Sequence, residues 1–303
     1  MRIHHLDCGT CHPLGGALMD GISQGPRARL SCHCLLIETD ASGLVLVDTG
    51  FGLRDVRRPY ALLGEARLPW WNASLLNIRL DPARTAVGRI RALGLDPADV
   101  RHIVMTHLDF DHAGGLQDFP GATIHLTAAE AEAAQLRRGA LGRTRWRPAQ
   151  WRGTRDRWRM LETRLGRRGG GGESWFGFRN VRQPEGLPPE ILLVPLPGHT
   201  PGHAGVAVQG PRGWLLHAGD AYFHRAELHG PGPQAAPRLL RSYEKAMTDD
   251  AAEREENLAR LRSLVQGPDG KDIAVFCTHD AVELVAMTVF SARAPREAAA
   301  EVV

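Results

Sequence analysis

Apolar positions along the chain follow two rhythms. Residues 29–38 alternate and are bounded by polar side chains, Thr39-Asp40-Ala41-Ser42-Gly43 reads as a turn, and 44–47 returns as an apolar run. Together they predict a β-hairpin that ends at Asp48-Thr49-Gly50. Short apolar runs at 100–105, 122–126, 191–195, 204–208, 214–217 and 273–277 predict further strands. Helical spacing starts at Asp81-Pro82, with Ala86, Val87, Ile90 and Leu93 on one face and Gly94 as the stop. Thr127 and Glu130 have the spacing of a capping box and open another helix. Helices are also expected over about 248–265 and from about Asp280. Residues 52–80, with Pro59, Pro69 and Trp70-Trp71, read as a loop region with at most a short helix, the Trp pair serving as an apolar pocket wall or as plain packing. Strands followed by helices, twice over, predict an α/β protein: an αββα sandwich of two mixed sheets with helices on the outer faces.

One stretch breaks the pattern. Residues 137–168 contain 12 arginines against Asp156 and Glu162, with Trp146, Trp151 and Trp158 between them, and a glycine run follows at 169–172. This reads as an insertion at about 137–180 in a single domain spanning 1–303, most simply a solvated, partly helical lid. A homodimer contact and a patch for nucleic acid or an anionic substrate are the other readings.

Composition narrows the class. At 303 residues, 43% hydrophobic and 23% charged, the chain can bury a large core. Its net charge of +3 is too small to argue for nucleic acid. No apolar run is long enough to span a membrane, and Met1 to Asp7 lacks an apolar signal core, so a cytoplasmic location is expected. Five cysteines do not make a disulfide framework. Cys32 and Cys34 are expected in the core. Cys8-Gly9-Thr10-Cys11-His12 has haem-attachment spacing, but nothing supports the export that haem attachment needs, and a loop beside the site is preferred to a thiol pair or second metal site. His4, His5, His12 and His125 belong to no motif and are expected to be structural.

The 14 histidines carry the chemistry. His107-Leu108-Asp109-Phe110-Asp111-His112 places four donors in six residues after a buried strand. In an extended segment His107 and Asp109 face one side, toward one metal, and a turn at Phe110-Asp111 turns Asp111 and His112 toward a second. His199, Asp220 and His279 each follow another predicted strand, so the donors converge on one edge of the fold. Imidazoles and carboxylates at this density suit zinc, iron or manganese.

In this order the motifs resemble the metallo-β-lactamase superfamily over about 30–285. Val47-Asp48-Thr49-Gly50 is similar to its early Asp-bearing motif. Gly219-Asp220-Ala221-Tyr222 and Phe276-Cys277-Thr278-His279-Asp280 are similar to the N-acyl-homoserine lactonase branch. The resemblance implies a first metal on His107, Asp109 and His199, a second on Asp111, His112 and His279, and Asp220 bridging. It implies a hydrolase whose metal-bridging hydroxide attacks a lactone or similar ester of a small molecule. Asp111 would also move a proton, and Asp48 and His203 would orient the ligands. The family's usual second histidine is Asp109 here, so zinc is preferred but iron or manganese is admitted. The lactonase tyrosine position, three residues past the bridging Asp, is Phe223, and Tyr222 is the candidate to assist the substrate carbonyl. A di-iron oxidoreductase and an RNA-processing or RNA-binding relative on the same fold remain as alternatives.

Overall fold

The computed structural model describes residues 1–58, 76–163, 173–230 and 235–292. Trp70-Trp71 and the glycine run at 169–172 lie outside these residues. Strands β1 (Arg2–Cys11), β2 (Leu30–Glu38), β3 (Leu44–Val47), β4 (Ile78–Arg79), β5 (Val100–Val104), β6 (Thr123–Thr127) and β7 (Trp158–Leu161) form one sheet in the order β4-β1-β2-β3-β5-β6-β7. A small hairpin pairs β8 (Glu173–Trp175) with β9 (Phe178–Val181). Strands β10 (Ile191–Pro195), β11 (Ala204–Gly210), β12 (Gly213–His217) and β13 (Ile273–Phe276) form a second sheet in chain order. Both sheets are mixed: β3, β5, β6 and β7 run parallel, as do β12 and β13, and the other pairs are antiparallel.

The period of two in the strands sorts side chains onto opposite faces. Leu35, Ile37, Val45 and Val47 pack inward against Val206, Val208, Leu215 and Phe276 of the second sheet. Their neighbours Cys34, Leu36, Leu44 and Leu46 face the other way, onto Ala86, Val87 and Ile90. Those residues lie on α1 (Ala86–Ala92), which Thr85 starts by accepting the Gly88 amide. Asp81 caps only a separate 3-10 turn at Pro82–Arg84, so the expected single helix is two pieces. On the second sheet's outer face, Leu258, Leu261 and Leu264 of α2 (Ala251–Gln266) cover Leu216, Ile273 and Val275. The layers are those of the expected αββα sandwich. Burying each such aliphatic side chain contributes roughly 1.5–3 kcal/mol, so truncating Leu36, which has no exposed surface, removes part of a continuous layer.

Three local expectations need correction. Residues 2–11 form a strand rather than a loop near their end, with a bulge where the β1–β2 register shifts between Asp7 and Thr10. Cys8 and Cys11 are therefore buried sheet residues, and all five cysteines are free and buried. A helix at Arg238–Met247, called α3, has no counterpart in the sequence reading. The arginine- and tryptophan-rich stretch is not a solvated lid over its first half. Trp146, Trp151 and Trp158 are buried in the first sheet's outer core, and β7 extends that sheet. Among the described residues, no helix is long and apolar enough to cross a membrane.

Candidate metal centre

All seven predicted donors meet at one edge of the sandwich. His107, Asp109, Asp111 and His112 lie on the connection after β5. His199 follows β10, Asp220 follows β12, and His279 follows β13. Three groups offer one ligand atom each within 4.8 Å of one another: His107, Asp109 and His199; His107, His112 and Asp220; and Asp111, His112 and His279. In the first half, Asp109 Oδ2 is 3.6 Å from His107 Nε2 and 3.1 Å from His199 Nε2, and Asp220 Oδ2 is 3.8 and 3.5 Å from the same two nitrogens. In the second half, Asp220 Oδ1 is 3.4 Å from His112 Nε2 and Asp220 Oδ2 is 3.1 Å from His279 Nε2. Asp111 lies 4.0 Å from His112 Nε2 and 3.7 Å from His279 Nε2. Donors of a tetrahedral ion with bonds near 2.0–2.1 Å stand about 3.3–3.4 Å apart, so these spacings fit divalent ions. The orphaned atoms agree: His107 Nε2, His112 Nε2, Asp109 Oδ1 and Asp220 Oδ1 are buried without a hydrogen-bond partner, which a metal would supply.

The surrounding residues fix which nitrogen faces inward. Asp48 Oδ2 accepts from His112 Nδ1 at 2.8 Å, leaving the Nε2 lone pair for the centre. The same carboxylate accepts from the Thr106 amide at 2.8 Å and hydroxyl at 2.7 Å. His279 Nδ1 donates to the Ser31 carbonyl at 2.8 Å, and His107 Nδ1 is 2.9 Å from Thr106 Oγ1. His203 accepts the Asp220 amide on Nε2 at 2.8 Å and donates from Nδ1 to the Leu196 carbonyl at 2.9 Å. This close approach requires Gly219, whose φ is +56° and where a Cβ would stand 2.6 Å from His203 Nε2. The His199 loop is held by the amides of Asp249 and Asp250, which both bond the Gly198 carbonyl.

Electrostatics follows from burial with opposed charges. Burial pushes the carboxyls of Asp109 and Asp220 up, but Arg145 and His107 for the first, and His279 and His112 for the second, outweigh it and hold both well below the usual range. Burial, then the Arg145 charge, keeps His199 neutral by lowering its pKa to about 3. Burial lowers His112, yet Asp220 and Asp48 raise it well above its ordinary value when no ion competes.

Two positioning residues escaped the sequence reading. The Arg145 side chain, 1% exposed, places Nε and Nη2 at 3.1 and 2.8 Å from Asp109 Oδ2. Its Nη1 donates to the His199 carbonyl, and Nη2 stands 2.8 Å from His199 Nε2. Trp146 forms a backbone bridge with Asp109, which brings its neighbour Arg145 alongside. The signal was Asp109 itself: a carboxylate in place of a histidine needs a cation. Glu130 is the second. Thr127 caps its amide as expected, but the Glu130 side chain does not close the capping box. It instead accepts from the Leu108 amide, the Trp146 indole and the Thr200 hydroxyl, bracing both donor loops.

Tyr222 must be corrected. It has no exposed surface, packs in the second sheet's outer core, and donates its hydroxyl to Glu283 at 3.1 Å, so it does not face the donors. Phe223 takes the face above the site, with its ring 4.8 Å from that of His279 and 5.6 Å from that of His199. Tyr243 of α3 lies beside Phe223 with the two rings tilted and their centres 6.1 Å apart; burial, then Asp111, holds its hydroxyl well above its ordinary pKa, so it stays protonated.

A family model described as the metallo-beta-lactamase superfamily matches residues 27–264. A probable metallo-hydrolase of Mycobacterium tuberculosis is 39% identical over 280 residues, covering 92% of this chain and 80% of that protein. An N-acyl homoserine lactonase of Bacillus cereus is 24% identical over 219 residues, covering 71% of this chain and 73% of that one. The solved structure of an N-acyl homoserine lactone hydrolase, with N-hexanoyl-L-homoserine bound at its catalytic metal centre, matches the fold with a TM-score of 0.66 at 20% identity over 94% of this chain and 95% of that chain.

Proposed function

Because the chain belongs to the metallo-beta-lactamase superfamily, we propose that it is a binuclear metal-dependent hydrolase that opens a lactone or a similar ester of a small molecule. The observation that carries this reading is the pair of half-sites sharing Asp220, one carboxylate oxygen 3.4 Å from His112 Nε2 and the other 3.5 Å from His199 Nε2. Zinc is the favoured ion for four imidazoles and three carboxylates. Two bound divalent ions would supply Lewis acidity and lower the pKa of water to about 7. The lactone follows from similarity to lactonases, two of which are named above.

The residues have separable tasks in this reading. Asp48, Ser31 and Thr106 orient the ligand imidazoles, so the donors are in place before an ion or a substrate arrives. Asp111 is the most accessible of the three carboxylates, with 14% of its side chain exposed against 3% for Asp109 and Asp220. It is therefore the group that can receive a proton from water and return it to the leaving alcohol. Phe223, packed in one apolar cluster with Phe51 and Phe110, lies against the His279 and His199 rings and limits water on that side of the site. Tyr243, rather than Tyr222, is the hydroxyl that can donate to a substrate oxygen. Asp109, from which a di-iron oxidoreductase was the alternative, is ion-paired with Arg145.

A hydrolysis screen tests the proposal, using zinc-, manganese- and iron-loaded protein on lactones, esters, thioesters, β-lactams and phosphodiesters. Lactone or ester turnover that disappears on chelation and returns with metal is the expected result. Hydrolysis confined to phosphodiesters, or none by fully loaded protein, refutes it.

A further inference from the structure

We propose that Arg145 makes the two halves of the centre unequal. The half formed by Asp111, His112 and His279 with Asp220 takes a divalent cation first. The half formed by His107, Asp109 and His199 takes one only when Arg145 releases His199. The inference rests on reading the cluster as a metal centre, but it concerns the filling of that centre and not its substrate.

Three observations carry it. The first is geometric. Nη2 of Arg145 is 2.8 Å from both Asp109 Oδ2 and His199 Nε2. A guanidinium nitrogen can only donate, so with its proton on Nδ1 His199 accepts this contact on Nε2, and with its proton on Nε2 it donates to Asp109 Oδ2 at 3.1 Å instead; in both cases Nε2 is already engaged. An imidazole nitrogen has one lone pair in the ring plane, and a metal would need that same lone pair. Ligation through His199 Nε2 therefore excludes its present contact with Arg145.

The second is charge. In the first half the carboxylate of Asp109 is matched by the guanidinium, so its own ligands present no net charge to an arriving ion. In the second half Asp111 lies 4.0 and 3.7 Å from His112 and His279, ligands that an ion can take over, and no arginine or lysine pairs with it among the described residues. Asp220 serves both halves. With a fixed positive charge a few ångströms from one position and not from the other, the affinities should differ on the order of 100-fold or more.

The third is burial. Arg145 is anchored at three points: Asp109, the His199 carbonyl and the backbone bridge through Trp146. It cannot swing into solvent as a surface arginine would. Filling the first half must rotate the guanidinium off His199 Nε2 while its bond to Asp109 persists.

The test is a titration of metal-free protein with zinc against a chromophoric chelator, with bound metal measured by elemental analysis at each free-zinc level. Wild type is expected to fill in two steps separated by about 100-fold or more. Arg145→Met, which keeps the packing volume and removes the charge, should bring the steps to within about tenfold. A single two-metal step in wild type overturns the proposal. So does an Arg145→Met protein whose steps keep their separation, or which loses the weaker site, since Arg145 would then only prop Asp109 in place. If Arg145→Met does not fold, the wild-type titration still decides, and Arg145→Lys must retain two steps. Occupancy is read without substrate. Two-step filling in a protein that hydrolyses nothing would sink the functional reading alone, and one-step filling in an active hydrolase would sink this inference alone.

Discussion

Asp48→Asn alters one atom and tests how the second half-site is tuned. Asp48 Oδ2 accepts from His112 Nδ1 and Thr106 Oγ1, and Oδ1 accepts from the Thr106 amide. In asparagine one of these oxygens becomes an amide nitrogen. With the oxygen kept on the Thr106 amide, the NH2 group faces His112 Nδ1 and the Thr106 hydroxyl. The hydroxyl can turn and accept. His112 Nδ1 must then accept as well, and its proton moves to Nε2, the atom that should face the metal. A hydrogen bond to a charged group contributes about 1.5–3 kcal/mol, and about 1.4 kcal/mol is tenfold in affinity. The expected cost is therefore roughly 10–100-fold in affinity at the second half-site, the range found for outer partners of metal-binding histidines. Chelator competition at fixed pH measures that affinity directly, and turnover should recover at high metal concentration. Unchanged zinc affinity, together with an unchanged melting temperature of the metal-free protein, would refute the argument that Asp48 sets the His112 tautomer.

Four further outcomes follow from the same geometry. His112→Ala and Asp220→Ala should each abolish hydrolysis and lower bound metal from two ions per chain, with the circular dichroism spectrum retained; near-wild-type turnover with full metal would remove that residue from the site. Asp109→His alone should lose about 3–5 kcal/mol in chemical denaturation, because it leaves the Arg145 charge buried without its partner, whereas Asp109→His with Arg145→Met should regain most of that and favour zinc over manganese more than wild type does. Tyr222→Phe should change kcat/KM by less than about threefold while Tyr243→Phe lowers it by about tenfold or more; the reverse ranking would restore Tyr222. Burial, then Asp280, raises the Glu283 carboxyl to about 8, so between its ordinary value near 4.5 and pH 8 the folded chain holds more protons than the unfolded one, and this group's contribution to stability falls as pH rises; Glu283→Gln should remove that slope from melting curves taken across the window.

Much of the molecule was legible because one rule governs each part. The hairpin 29–47 follows from alternation, and the strands at 191, 204, 214 and 273 from short apolar runs, since the second sheet is covered by the first sheet on one face and by helix on the other. The seven donors were legible because they follow strands and converge in the fold. Other parts were hidden by satisfied polarity. β1 carries His5, Asp7 and Thr10, and partners distant in sequence satisfy them: His5 meets His33, Asp7 accepts from Arg29, and Thr10 accepts from Arg84. That run of polar residues obscures a strand. Arg145 was lost among twelve arginines, because nothing local distinguishes the one that meets a carboxylate 36 positions away. The tryptophans beside it read as aromatic residues of a solvated lid, yet the indole of Trp146 bonds Glu130 and the ring fills the core. Tyr222 failed for a different reason. Its neighbour Phe223 points over the donors, and Tyr222, one position earlier along the turn, points into the core toward Glu283.

The donors come from both sheets: four from the connection after β5, and three from loops of the sheet formed by β10–β13. Ions held there would rivet two layers that are otherwise joined by apolar contacts such as those of Ile37, Val47, Val206 and Phe276 and by hydrogen bonds such as Ala204 to Thr106. Neither layer can complete the cage alone, so ion capture belongs at the end of folding, after the layers have docked. Dissociation is then tied to the same seam. At a thousand times the dissociation constant, an ion adds about 4 kcal/mol to the docked state. Stripping it leaves a long apolar interface with one fastening removed. A chelated preparation should consequently part along this plane, and the exposed strands should make its first failure on storage precipitation rather than slow inactivation.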